Sequence, residues 1–77
     1  MTQEQLIKAN GIYIEALGEV LSGVGINYLE LVLKDFEKDE LYEEWYGLKK
    51  ALDFVQSRTI KEIDKEYRQL IRKEDEY

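Results

Sequence analysis

The sequence predicts an all-α fold: one domain over 1–77, a compact bundle of three to four helices at about 3–22, 28–38, 40–56 and 60–74. Three observations carry this reading. Proline is absent, so no position forbids helix. Apolar residues recur at helical spacing almost throughout. Gly23, Gly25 and capping residues fall between the periodic stretches, where helices should stop and start.

Helix 1 opens at Thr2, which forms a capping box with Gln5. Leu6, Tyr13, Leu17, Val20 and Val24 line one face, and Ile7, Ile14 and Leu21 widen it. So broad an apolar arc implies burial on two sides and a central place in the bundle. Gly11 and Gly18 weaken this helix by about 1 kcal/mol each relative to alanine. Asn10-Gly11 is also a hairpin-turn dipeptide, but the helical face continues across it. Gly11, Gly18 and Ser22 share a flank on which another helix could approach closely.

Gly23-Val24-Gly25 ends helix 1, because glycine supplies the left-handed closing residue. For helix 2 the pattern points to Asn27 as N-cap, with Glu30 completing the box and Ile26 and Leu31 forming a hydrophobic staple. Leu29, Val32, Leu33 and Phe36 form its buried stripe. Helix 3 is expected from Asp39 or Glu40 to Gln56, on a stripe of Leu41, Trp45, Leu48, Leu52 and Val55. Only a charge run separates helices 2 and 3, so one bent helix is the alternative. Helix 4 starts after Thr59, boxed with Glu62, and turns Ile60, Ile63, Tyr67, Leu70 and Ile71 inward. The last three or four residues are expected to fray.

Composition restricts chemistry more than it selects function. The chain has 77 residues, no Cys and no His. A Ser-His-Asp or Cys-His nucleophile system cannot be assembled from it, and a Cys/His zinc site is excluded. Thr2, Ser22, Ser57 and Thr59 lie at helix ends, where capping and turns account for them. Gly23 and Gly25 match no phosphate-cradling loop. Carboxylate pairs such as Glu40 and Glu44 are read as solvated, with no calcium-loop spacing. The expectation is therefore a protein that is not an enzyme and that uses no cofactor and no metal.

No apolar run approaches the roughly 20 residues of a membrane span. The N-terminal stretch has no basic region followed by a long apolar one. A cytoplasmic protein without membrane contact is expected. A Cys- and Pro-free, Lys/Glu/Ile/Tyr-rich composition is common among small bacterial and phage-encoded accessory proteins. A core this small is marginal alone, so a second copy of the chain is a further expected source of stability.

Charge is segregated. Asp35–Tyr46 carries Asp35, Glu37, Asp39, Glu40, Glu43 and Glu44 against the single base Lys38, whereas the whole chain is −6. Tyr42 and Tyr46 lie one turn apart, about 100° off the Leu41/Trp45/Leu48 stripe. Phe54 lies off that stripe on another side. A domain of this size has few places to hide three extra rings, and aromatic residues are enriched in interface cores. Asp39, Glu40, Tyr42, Glu43 and Tyr46 are therefore the expected contact residues of a protein-binding module: a small regulator, inhibitor or assembly adaptor. The carboxylates would select a partner with a basic surface.

The alternative surface is a basic stripe on helix 4, Lys61, Lys65, Arg68 and Arg72. Such a stripe suits nucleic-acid phosphates. The pI near 4.6 opposes bulk attraction to nucleic acid, and Asp64 sits one turn before Arg68, where it can absorb charge. A third reading is a self-associating structural subunit, in which two copies pair acidic elbow against helix 4.

Overall fold

The protein is described by a computed structural model over residues 1–75, with side chains through Lys73. Residues 74 and 75 are helical rather than frayed, and the rest of the expected fraying, at 76–77, lies outside the described residues. Four helices follow in order: α1 (Gln3–Leu21), α2 (Ile26–Lys38), α3 (Tyr42–Gln56) and α4 (Ile60–Asp75). Among the described residues there is no strand.

Two of the helix starts follow their local chemistry. Thr2 Oγ1 accepts the Gln5 N–H at 3.2 Å, and Gln5 Oε1 accepts the Thr2 N–H at 2.8 Å. At α4, Thr59 Oγ1 accepts the Glu62 N–H at 3.2 Å, and Glu62 Oε1 accepts the Thr59 N–H at 3.3 Å. Each box satisfies donors that a helix start leaves unpaired. Helix runs straight through Asn10-Gly11, so no hairpin forms there.

The two inner junctions are a matched pair of Schellman turns. After α1, Val24 N–H donates to Glu19 O at 2.9 Å, Gly23 N–H donates to Val20 O at 3.1 Å, and Gly23 has φ +104°. After α2, Leu41 N–H donates to Phe36 O at 2.9 Å and Glu40 N–H to Glu37 O at 3.2 Å. The left-handed residue of this second turn is Glu40, at φ 57°. A side chain in that conformation costs on the order of 1 kcal/mol or more.

These turns correct both expected helix starts. The N-cap of α2 is Gly25, whose carbonyl accepts the Leu29 N–H at 3.3 Å. Asn27 is thus already inside the first turn and caps nothing, and Glu30 instead accepts from Gln56 Nε2 at 3.1 Å. Leu31 faces solvent rather than closing a staple. Asp39 and Glu40 belong to the turn that stops α2, so α3 begins two to three residues later than expected, at Tyr42. Leu41, placed in this turn as the residue before α3, is 41% exposed rather than part of the core stripe. The helices are separate, not one bent rod.

The core forms where α1 meets α3. Gln5 reaches Glu43, Lys8 reaches Glu44, Gly47 sits on Ala9 and Ile12, and the Phe54 ring meets the Tyr13 ring edge-on at 6.4 Å. Partners advance together along both helices, so α1 and α3 run parallel. Gly47 explains their close approach: a Cβ there would collide with the Ala9 carbonyl oxygen and stand 2.9 Å from Ile12 Cβ. Ala16 and Ala51 are buried in the same core. Leu17, at 0% exposure, sits at its centre with Leu48, Leu52 and Val55.

α2 packs on α3, and α4 packs chiefly on α1, while the backbones of α1 and α2 stay farther apart. Tyr67 of α4 covers Gly18, whose added Cβ would lie 2.9 Å from the Tyr67 hydroxyl oxygen. The glycine flank therefore receives a helix at Gly18, whereas Gly11 has open space around it. α4 covers only the C-terminal half of α1, so Leu6 and Ile7 are exposed instead of buried. Ile60, the first residue of α4, is exposed as well. The Cα extents, 32 × 30 × 18 Å, describe a slab rather than a sphere.

Three outcomes are expected in urea unfolding followed by the fluorescence of Trp45, the sole tryptophan. Gly11→Ala should stabilise by up to ~1 kcal/mol, while Gly47→Ala should destabilise by about 1–3 kcal/mol because α1 and α3 must separate. Glu40→Gly should stabilise by ~0.5–1 kcal/mol by removing the left-handed penalty; an unchanged midpoint would count against strain at this turn.

Candidate functional site

The elbow between α2 and α3 brings the expected contact residues to one edge of the slab, but not on equal terms. Tyr42 and Tyr46 lie one turn apart on α3 and are 65% and 43% exposed. Tyr46 borders a shallow hollow with Leu6, Ala9, Asn10 and Lys50. The uncovered Leu6 thus extends the tyrosine face onto α1, an extension that required knowing which part of α1 is covered by α4. Asp39 and Glu40 are exposed and have no side-chain partner among the described residues.

Glu43 differs from the free-surface group expected. It is half-buried and accepts a hydrogen bond from Gln5 Nε2 at 3.1 Å. The physical reason is the parallel α1–α3 contact, which brings the first turn of α3 against the first two turns of α1. Glu44 is held more tightly. Lys8 Nζ lies 2.6 Å from its Oε1, its side chain is largely buried, and its Oε2 is enclosed without a hydrogen-bond partner. The Lys8 hydrogen bond, followed by a bond from its own backbone N–H, holds the Glu44 carboxyl below the ordinary glutamate value. The same contact raises Lys8 above the ordinary lysine value. Glu43 and Glu44 also lie at the N-terminus of α3, where acidic charge is favourable.

Asp35, Glu37 and Asp39 lie at the opposite kind of helix end. They crowd the C-terminal end of α2, where the helix dipole disfavours negative charge, and Lys38 is the sole base of that last turn. The elbow therefore departs from local stability rules twice, in its charges and in the left-handed Glu40.

The third ring, Phe54, is covered by its own chain. It packs edge-on against Tyr13, and the Arg58 guanidinium lies 5.5 Å from its centroid. Tyr13 is buried, with Lys50 Nζ 5.0 Å from its ring centre, and burial pushes its hydroxyl pKa up. Trp45 is half-buried with its Nε1 enclosed and unpartnered.

On α4, Lys61, Lys65, Arg68 and Arg72 are all exposed. Arg68 is committed to Asp64, with Nε donating to Oδ2 at 2.8 Å, the pairing their spacing predicts. Glu62 faces Arg58 at 3.9 Å and the Thr59 cap rather than Lys65. Arg68 and Arg72 border an open hollow with Leu21, Tyr67 and Ile71. Among the described residues no three acidic side chains converge to hold a metal ion, and no helix is long and apolar enough to cross a membrane.

Comparison with protein-family models, with curated proteins and with solved structures finds no match to this chain.

The Lys8–Glu44 contact generates an acid-dependent stability. Because the folded Glu44 pKa is depressed, its contribution is fully present above the ordinary glutamate value and is lost as pH falls through the folded value. The urea midpoint should therefore drop on acidification below about pH 5. In Glu44→Gln that drop should be smaller, with the remainder due to other carboxylates; an identical slope in both proteins would remove Glu44 as its source. On the basic side, Lys8 contributes below the ordinary lysine value and loses its contribution as pH rises through the raised folded value.

Proposed function

We propose that the chain is a non-enzymatic protein-binding module, a small regulator, inhibitor or assembly adaptor, that presents the Tyr42–Tyr46 face to a partner with a basic surface. The observation that carries this reading is the exposure of two tyrosines one helical turn apart beside the uncovered Leu6. Tyrosine supplies large contact area at low entropic cost and commonly anchors interfaces. Asp39 and Glu40 flank the rings and steer a basic partner toward them. Glu43 contributes through its position beside Gln5 and by holding the first turn of α3 in place.

The unfavourable local chemistry of the elbow supports the same reading. A sequence under selection for stability alone would place glycine at position 40 and bases at the end of α2. The expected setting is the cytoplasm. The pairing of Arg68 with Asp64 weakens the nucleic-acid alternative, since it neutralises one member of the four-residue stripe.

The test is capture of partners on the immobilised protein, with Tyr42→Ala/Tyr46→Ala as the paired control. The double variant should keep its helical circular dichroism and lose its specific partner, since truncating interface anchors commonly costs about 2 kcal/mol or more each. An unchanged set of captured proteins would overturn the proposal. Concentration-dependent sedimentation of the parent chain, abolished in the same variant, would assign a second copy as the partner.

A further inference from the structure

A second surface has the shape and charge of a binding groove, and it shares no lining residue with the hollow beside Tyr46. The backbones of α1 and α2 both lie against α3 and stay farther from each other. A groove opens between them. Ala16, Leu29, Val32 and Leu48 form its floor, with Ile12 and Phe36 toward one end. Its volume is about 180 Å3. That is below the roughly 300 Å3 at which small-molecule sites begin, and it matches the scale of a bulky apolar side chain offered by a macromolecule.

The rim selects the occupant. Glu15 and Glu19 stand one turn apart on α1 along the groove, and Tyr28 is exposed on the α2 side. No lysine or arginine lines the groove, although the chain has 11 such residues. Neither glutamate takes part in a salt bridge among the described residues. An apolar floor between two helices, edged by unpaired carboxylates, is complementary to an amphipathic helix whose apolar face is bordered by cations.

We propose that the α1–α2 groove is a docking site for a basic amphipathic helix of another protein. The helix seats one apolar side chain against Leu29, Val32 and Leu48 and sets lysine or arginine against Glu15 and Glu19. Tyr28 closes the side of the groove with its ring. The site is independent of the Tyr42–Tyr46 face, so either can fail alone.

The probe is a fluorescein-labelled synthetic peptide of leucine, lysine and alanine, with leucines at helical i, i+3 and i+7 spacing and lysines beside them. Binding is read by anisotropy and mapped by amide chemical shifts of the whole chain. Shifts are expected at Ile12, Ala16, Tyr28, Val32 and Phe36. Affinity should fall at least about tenfold when Glu15 and Glu19 are both changed to Lys, and likewise when the peptide's lysines become glutamate. Both substitutions lie outside the buried core, and circular dichroism verifies the fold. Val32→Arg, which fills the groove from its floor, should also weaken binding without moving shifts at Tyr42 or Tyr46. Equal affinity of the Glu15→Lys/Glu19→Lys protein, equal binding of the glutamate peptide, shifts confined to the Tyr42–Tyr46 face, or no binding at millimolar protein would each overturn the proposal.

Discussion

The close parallel contact of α1 and α3 is the constraint on which the rest of the molecule depends. It exists because position 47 has no side chain, so α3 can rest on the Ala9 carbonyl and the Ile12 side chain. Once those backbones meet, Leu17 is enclosed by Leu48, Leu52 and Val55, and Gln5 and Lys8 come within reach of Glu43 and Glu44. The electrostatics of the first turn of α3 follow from that backbone approach. Dense packing of this kind tolerates little added volume, so the absence of a side chain at position 47 sets how closely α1 and α3 approach.

A slab built on such a central pair has a particular weakness. α2 and α4 pack against different members of the pair, α2 on α3 and α4 on α1. Neither spans the whole of its neighbour. The N-terminal half of α1 has no cover on the α4 side, and α1 and α2 diverge above Leu48. Apolar surface left open in this way is the feature on which both proposed binding surfaces rest. The tyrosine face and the α1–α2 groove both lie where α2 and α4 leave the α1–α3 pair uncovered.

The elbow departs from local stability rules at a single turn. Gly23 and Glu40 occupy equivalent places in two equivalent turns. At the first, glycine removes the penalty of the left-handed conformation; at the second, a charged side chain accepts it. Asp39 and Glu40, read from sequence as the beginning of a helix, are the end of the preceding one. That reassignment exposes Leu41 and moves Tyr42 to the first position of α3. A charge run names a surface but does not say on which side of it a helix stops, because acidic residues are compatible with an N-terminus by charge and with a turn by exposure.

Local rules were sufficient for the α-only class, for the Thr2 and Thr59 capping boxes, for the Gly23 stop and for the Asp64–Arg68 pair, since each depends on residues three to five apart whose geometry a helix sets automatically. Tyr42 and Tyr46 could be grouped on one face for the same reason. The importance of Gly47, the withdrawal of Glu43 and Glu44 toward α1, and the burial of Phe54 against Tyr13 while Leu6 and Leu31 stay open were not legible. Each turns on which helix lies opposite, over separations of about 40 residues in the case of Gly47 and Ala9. Periodicity assigns a residue to a face; only a neighbour in space assigns that face to the interior, because burial is a property of the pair of surfaces and not of the strip of sequence that supplies one of them.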